Sequence, residues 1–146
     1  FEDCPNFGFA AIIANFDSLH GNDLFIANDT RSNHLWMSSE TPSTQRYTLA
    51  NEALLRGCAV GANGHEQGCM GVASGDFNAD GRLDLFVTNY WNEPGNLYLQ
   101  RTSGFFSDSA AQLKLAEPTR QTVGFGAQAT DLDRDGALDL AMLNGH

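Results

Sequence analysis

The chain is poor in basic residues, in long apolar runs and in cysteine. Among its 146 residues, 8 lysines and arginines stand against 18 aspartates and glutamates, a formal net charge of −10. Such acidity excludes a protein that follows the phosphate backbone of a nucleic acid, because no basic patch is present. No apolar run approaches the roughly 20 residues of a membrane-spanning helix, so we expect no membrane span. Hydrophobic residues make up 42% of the chain, which is enough to build a buried core.

Cysteine occurs three times, at Cys4, Cys58 and Cys69, and no two of these residues have the spacing of a zinc site. Cys58 and Cys69 bracket a glycine-rich stretch, and this spacing predicts a disulfide that closes a short loop. Two buried free thiols are the alternative. With that disulfide formed, Cys4 has no partner within the chain. A disulfide favours an oxidising compartment.

Two segments of the chain, residues 69–89 and 124–144, repeat each other without a gap at an offset of 55 residues. A weaker third copy, residues 8–28, lies 61 residues before the central one. Each copy places a stretch of small apolar residues before a polar loop, and a short apolar run that ends in asparagine after it. Short apolar runs bounded by turn residues are typical of buried strands.

Further strands are predicted after the first two copies, at residues 35–37, 47–49, 97–99 and 105–107. Four strands per unit at this spacing are typical of the blades of a β-propeller; a solenoid, whose units are usually shorter, is the alternative. We therefore predict an all-β fold of about two and a half four-stranded antiparallel blades. The chain forms one partial propeller over residues 1–146, with blade-like repeats at 8–60, 69–115 and, incomplete, 124–146. Because a propeller closes with about 4–8 blades, we expect the remaining blades in further chain or in other copies.

The loops of the two clear copies share the pattern Asp-x-(Asn/Asp)-x-Asp-Gly-x-x-Asp. Alternate side chains of such a loop converge on one centre, and the residue after the glycine offers its backbone carbonyl. Hard oxygen ligands in this number suit Ca²⁺ better than Mg²⁺, which prefers a strict octahedron with several waters. The predicted ligands are Asp76, Asn78, Asp80, the carbonyl of Arg82 and Asp84 in the central loop, and Asp131, Asp133, Asp135, the carbonyl of Ala137 and Asp139 in the last loop.

A tight turn without metal is the alternative for a single loop of this kind, but two gapless copies favour two calcium ions. An EF-hand is excluded, because it needs a glutamate at position 12 and flanking helices. In the loop of the first copy, Asn15, Asp17 and Asp23 could serve as positions one, three and nine. Position five there is Leu19, so an empty structural turn is favoured over a third ion.

The pairs Gly8-Phe9 and Gly124-Phe125, together with the two aspartate-rich loops, make the chain resemble the FG-GAP/VCBS-like repeat family of β-propellers. Within that family, residues 71–76, 84–90 and 144–146 look like the CRTAC/UnbV-type secreted proteins. The resemblance implies a seven-bladed propeller with Ca²⁺ in the loop between the first two strands of a blade. It also implies an extracellular or cell-envelope setting and a non-catalytic role in cell adhesion or protein interaction.

Tyr90 and Trp91 follow the central repeat and enter a loop. If exposed, they could stack on a sugar or anchor a protein partner; if packed, they cap the edge of the blade, which is the favoured interpretation. The alternative function is therefore a carbohydrate-binding propeller domain of a secreted or cell-surface protein. An enzyme is not predicted, because the loop aspartates would be held ionised by metal, which is the wrong state for a catalytic acid.

Overall fold

The computed structural model describes residues 7–19, 21–41 and 46–145, and most of its regular structure is β-strand. The strands are β1 (Gly8–Ala14), β2 (Asp23–Asn28), β3 (His34–Thr41), β4 (Arg46–Asn51), β5 (Cys69–Gly75), β6 (Asp84–Asn89), β7 (Asn96–Thr102), β8 (Phe105–Asp108), β9 (Val123–Thr130) and β10 (Asp139–Gly145). A short helix, α1 (Ala116–Arg120), connects β8 to β9. In this described part, no helix has the length and apolar character that a membrane crossing requires.

The strands form three antiparallel sheets that follow chain order. The first sheet is β1-β2-β3-β4, the second is β5-β6-β7-β8, and the third pairs β9 with β10. Each four-stranded sheet is a meander in which every strand pairs with the next one along the chain, as in a propeller blade. The predicted all-β fold of about two and a half blades is thus confirmed.

The second sheet is packed on both faces. Strand β6 is buried at every position, because its side chains alternate between two cores. Leu85 and Val87 belong to a first core cluster that also contains Phe25 and Leu35 of the first sheet. Phe86 belongs to a second core cluster, against which residues of β9 and β10 pack. The three sheets are therefore stacked in the order of the chain.

The first strands of the three sheets lie side by side. Strand β5 contacts β1 on one side and β9 on the other, and β6 also contacts β9. In a propeller, the innermost strands of successive blades meet around the axis in this way. One repeat of the sequence therefore corresponds to one blade, and successive blades follow one another around the axis.

A hydroxyl group links the second sheet to the third. Thr88 Oγ1 accepts a hydrogen bond from the Gly71 N–H at 2.9 Å and donates one to the Phe125 carbonyl at 2.7 Å. The backbones of β5 and β9 approach so closely here that a Cβ atom at position 71 would overlap the Phe125 carbonyl oxygen. Glycine at this position lets the two blades pack.

The outer faces of the first and third sheets carry apolar side chains that no neighbouring sheet covers among the described residues. Phe9 and Ile13 alternate along β1 with residues that pack on the first core cluster, and they are 57% and 71% exposed. Leu143 of β10 is 73% exposed, next to Met142, which packs on the second core cluster. The two ends of the stack thus expose the kind of surface that the second sheet buries on both faces.

The structure does not contain the predicted disulfide between Cys58 and Cys69; both residues are free, buried thiols, which is the alternative that the sequence left open. Different partners hold the two backbones: the Cys58 N–H donates to the Ala53 carbonyl at 3.0 Å, whereas Cys69 begins β5 opposite Asn89. Both side chains pack as small apolar groups in the first core cluster. Burial raises the pKa of each thiol to about 12, so both stay protonated at neutral pH. Cys4 lies outside the described residues.

Candidate metal centre

The three repeat loops occupy the same place in each sheet. Each joins the first strand to the second, and position nine of the pattern is the first residue of the second strand: Asp23 in β2, Asp84 in β6 and Asp139 in β10. Position one follows directly after the first strand in all three sheets. Antiparallel pairing of the two strands therefore brings positions one and nine to the same end of the sheet.

The carboxylate at position one organises each of the two aspartate-rich loops. In the central loop, Asp76 accepts the Asp80 N–H at 3.0 Å and the Gly81 N–H at 2.7 Å. In the last loop, Asp131 accepts the Asp135 and Gly136 N–H groups at 3.1 and 3.0 Å. The hydrogen bond from Gly81 is the main reason why the pKa of Asp76 lies below its usual value.

Two residues in each of these loops adopt a left-handed backbone. Gly81 and Gly136 have φ of 82° and 93°, as expected for the glycine of the pattern, and Ala79 and Arg134 have φ of 56° and 64°. Non-glycine residues rarely adopt this conformation. The same conformation at the same two positions shows that the two loops fold alike.

In the last loop, the carboxylates of Asp131, Asp133 and Asp139 come together, with one oxygen from each within 4.8 Å of the others. No other three acidic, histidine or cysteine side chains within the described ranges meet this closely. The fourth carboxylate, Asp135, accepts the Ala137 N–H at 2.8 Å. Their repulsion makes this cluster a place of strongly negative potential.

In the central loop, the corresponding side chains have different hydrogen-bond and ion-pair partners. Asn78 donates its amide to Asp80 Oδ2 at 2.9 Å, and the Arg82 guanidinium lies 2.6 Å from the same oxygen. Asp76 and Asp84 complete the predicted set at the two ends of the loop. The central loop therefore offers three carboxylates with one internal cation, whereas the last loop offers four carboxylates.

The aspartate at position nine has a structural role that the sequence analysis missed. Asp84 is fully buried and accepts the Phe77 N–H at 3.0 Å and the Gln100 N–H at 2.8 Å, which ties the loop to β7. Asp23 makes the same pair of bonds, to the N–H groups of Phe16 and Ser38. Burial raises the pKa of Asp84, and these backbone N–H groups act against that rise. The sequence contained one sign of this structural role: Asp23 is present at position nine, although its loop lacks most of the other predicted metal ligands.

In the first loop, the other two candidate ligands hydrogen-bond to the backbone of Leu19. Asn15 donates its amide to the Leu19 carbonyl, and Asp17 accepts the Leu19 N–H at 3.0 Å. In the last loop, Asp139 accepts the N–H of Leu132, the second residue of the loop, at 2.9 Å. Asp23 and Asp84 accept the N–H of the second residue of their own loops in the same way. The contacts of Asn15 and Asp17 are those of a tight turn, which the sequence favours over a third ion in the first loop.

Tyr90 and Trp91 lie in the turn after β6, and each is 56% exposed. The favoured interpretation, in which both rings pack against the blade edge, is therefore wrong. The Tyr90 N–H donates to the Gly68 carbonyl, which fixes the backbone of the turn while leaving the rings at the surface. An exposed aromatic side chain offers a ring face on which a ligand can stack.

Comparison with known proteins agrees with this architecture. Residues 76–142, which begin at the central loop and end in β10, match the model of the FG-GAP-like repeat family. The chain is also similar to cartilage acidic protein 1 of Mus musculus, with 28% identity over 131 residues that cover 87% of this chain. The chain spans about a fifth of that relative's length (18%). The resemblance to FG-GAP and CRTAC-type repeat proteins is confirmed.

Proposed function

We propose that the chain is a calcium-binding repeat module of an extracellular β-propeller, in which Ca²⁺ makes the loops between the first two strands of a blade rigid. The observation that supports this most directly is the approach of Asp131, Asp133 and Asp139 to within 4.8 Å of one another. Like charges at this separation repel one another unless a cation lies between them. A hard divalent ion is the partner that carboxylate oxygens prefer.

The donor sets of both loops fit calcium. Asp131, Asp133, Asp135 and Asp139 would hold one ion, and Asp76, Asn78, Asp80 and Asp84 a second, with the carbonyls of Ala137 and Arg82 as further ligands. Ca²⁺ takes 6–8 oxygens at about 2.3–2.6 Å, so carboxylates, an amide and a carbonyl can meet its requirement together with water. When bound, the ion supplies positive charge that offsets the repulsion within the loop.

The proposed role of the ion is mechanical. Positions one and nine lie at the ends of successive strands, so an ion that joins them clamps the two strands of one blade. The aspartate at position nine already ties the central loop to β7, and an ion on the same carboxylate extends that connection to the rest of the loop. Binding free energy of the ion then adds to the free energy of folding.

We further propose a scaffold for adhesion or protein interaction, and no enzyme activity. The name of the similar relative places it in cartilage, and both proteins are acidic, which supports a secreted protein. The exposed apolar faces of the first and third sheets support packing against the remaining blades of the propeller or against other chains. Asp84 has a raised pKa, but its carboxylate accepts two backbone N–H groups, and its proposed role is to hold the loop and the ion and not to donate a proton.

Thermal unfolding with and without calcium tests the proposal. At a free Ca²⁺ concentration of about 100 times the dissociation constant, each occupied loop adds about 2.7 kcal/mol, and we expect the melting temperature to rise by about 8 °C for each loop that fills. Asp135→Ala should reduce that rise, and Glu117→Ala, at an exposed acidic residue of α1, should leave it unchanged. Equal melting temperatures in calcium and in chelator would refute calcium binding.

Carbohydrate binding is a second candidate function, supported by the exposure of Tyr90 and Trp91. Stacking of a sugar ring on one aromatic side chain contributes on the order of 1 kcal/mol, so we expect Trp91→Ala to weaken glycan binding about fivefold or more. Phe105, an exposed aromatic residue of β8, provides the control variant Phe105→Ala, which should bind as the original chain does. A glycan array without hits, or equal binding by the Trp91 variant, removes this candidate.

A further inference from the structure

The two aspartate-rich loops differ at the oxygen that position five would offer to a metal. In the central loop, Asp80 Oδ2 accepts both the Arg82 guanidinium at 2.6 Å and the Asn78 amide at 2.9 Å. Its other oxygen, Oδ1, accepts the Arg82 N–H at 3.0 Å. Both oxygens of Asp80 are thus already bonded within the loop.

Arg82 is held in place from a second side. Its Nε donates to the Gln100 carbonyl of β7 at 3.3 Å, so the guanidinium bridges the loop and the third strand of the blade. The side chain is half-buried, and its ion pair with Asp80 lies at the edge of the loop. A positive charge is therefore fixed beside a carboxylate that the metal also needs.

The last loop has no such charge at the same position. Ala137 replaces Arg82, and the carboxylate of Asp133 replaces the amide of Asn78. Asp135 accepts the Ala137 N–H through Oδ1, and within the described residues no ion pair reaches its carboxylate. Arg134 lies in this loop, but among the same residues it forms no ion pair.

We propose that Arg82 acts as an internal competitor of Ca²⁺, so that the last loop fills at lower calcium concentration and the central loop at higher concentration. This inference rests on the proposed function, because it concerns calcium in the same two loops. A guanidinium and a divalent cation near one carboxylate repel each other, and Arg82 has to move or share Asp80 when calcium binds. In a water-like dielectric of about 80, the repulsion between a unit charge and a divalent charge about 6 Å apart corresponds to about a tenfold change in affinity, or about 1.4 kcal/mol.

Calorimetric titration of calcium into chelator-treated protein measures the effect on each loop. Asp131→Ala silences the last loop, so the remaining binding belongs to the central loop. In that background, we expect Arg82→Ala to bind calcium about tenfold more tightly. Arg82→Gln, which keeps a hydrogen-bond donor without the charge, should give a similar gain, because the charge is the proposed cause.

The reciprocal variant provides the matched control. With the central loop silenced by Asp76→Ala, we expect Ala137→Arg to weaken calcium binding by the last loop about tenfold. If both loops bind calcium but Arg82→Ala and Arg82→Gln leave the central affinity unchanged, competition by Arg82 is overturned while the proposed function stands. If calcium gives no binding heat and no thermal shift with the unsubstituted chain, the proposed function itself fails.

Discussion

Replacement of Asp84 by alanine should lower the free energy of unfolding by about 4 kcal/mol, even in chelator. The fully buried carboxylate accepts the N–H groups of Phe77 and Gln100, and both lose this acceptor in the variant. A buried N–H without a partner costs about 1–3 kcal/mol, and the cavity left by the side chain adds to this loss. Urea-induced unfolding of the variant and of the original chain, both in chelator, measures the difference.

Asp23→Ala separates this structural role from metal binding. Asp23 is buried to the same extent as Asp84 and makes the same two backbone bonds, but it belongs to the loop that lacks most ligands. We expect the two variants to lose similar stability in chelator, and only the Asp84 variant to lose calcium-dependent stability as well. An Asp84 variant that is as stable as the original chain in chelator would show that the carboxylate serves only a ligand.

Gly71→Ala should cost about 3 kcal/mol, because it forces the second and third sheets apart. The added Cβ overlaps the Phe125 carbonyl oxygen, which is backbone and cannot rotate away, and it also lies 3.0 Å from Thr88 Oγ1. Separation of the sheets breaks the hydrogen bond from Thr88 to Phe125 and loosens the second core cluster. Urea-induced unfolding measures the loss, and hydrogen exchange of β9 shows where it occurs.

Gly126→Ala is the matched control for this prediction. Gly126 also lies in β9, but a Cβ there meets only Leu143 Cδ1 at 3.6 Å, an ordinary van der Waals contact. We expect its free energy of unfolding to change by less than about 0.5 kcal/mol. Equal losses in the two variants would mean that glycine is needed in the strand for its backbone alone and not for the approach of two blades.

The order of the strands could be predicted from the sequence because the repeat is gapless. The offset of 55 residues places the acidic loop of the last copy on that of the central copy, and each loop lies between two apolar runs of fixed length. Asparagine and glycine mark the ends of those runs, which fixes the antiparallel turns. The third and fourth strands of each blade followed from their position after the repeat.

The contacts between sheets could not be predicted in this way. In the sequence, Thr88 is a polar residue within an apolar run, and nothing there indicates its partners. Its hydrogen bonds to Gly71 and Phe125 depend on the distance between two sheets. The spacing of Cys58 and Cys69 allows a disulfide, but the backbones of the two residues are held by different partners. Tyr90 and Trp91 are large aromatic residues, which favoured their burial against the edge of the blade, yet the turn after β6 leaves both rings exposed.

In the candidate metal centre, too, the local features could be predicted from the sequence and the long-range contacts could not. Spacing along the chain identified the aspartates and the glycine of each loop, because these are properties of one loop. The bonds of Asp84 to β7 and of Arg82 to the Gln100 carbonyl join the loop to a strand that follows later in the chain. Such long-range partners carry no signal in a local pattern.

Burial of β6 on both of its faces implies an uneven tolerance to sequence change along the chain. A side chain in β6 has to fit two neighbouring sheets at once, so even a change of one methylene group is felt on one side or the other. In the part of the chain that the structure describes, the strands β1 and β10 are packed against another sheet on one face only. Amino-acid substitutions should therefore accumulate most slowly in the second blade and faster on the outer faces. Insertions should be tolerated in the turns more readily than in that central sheet.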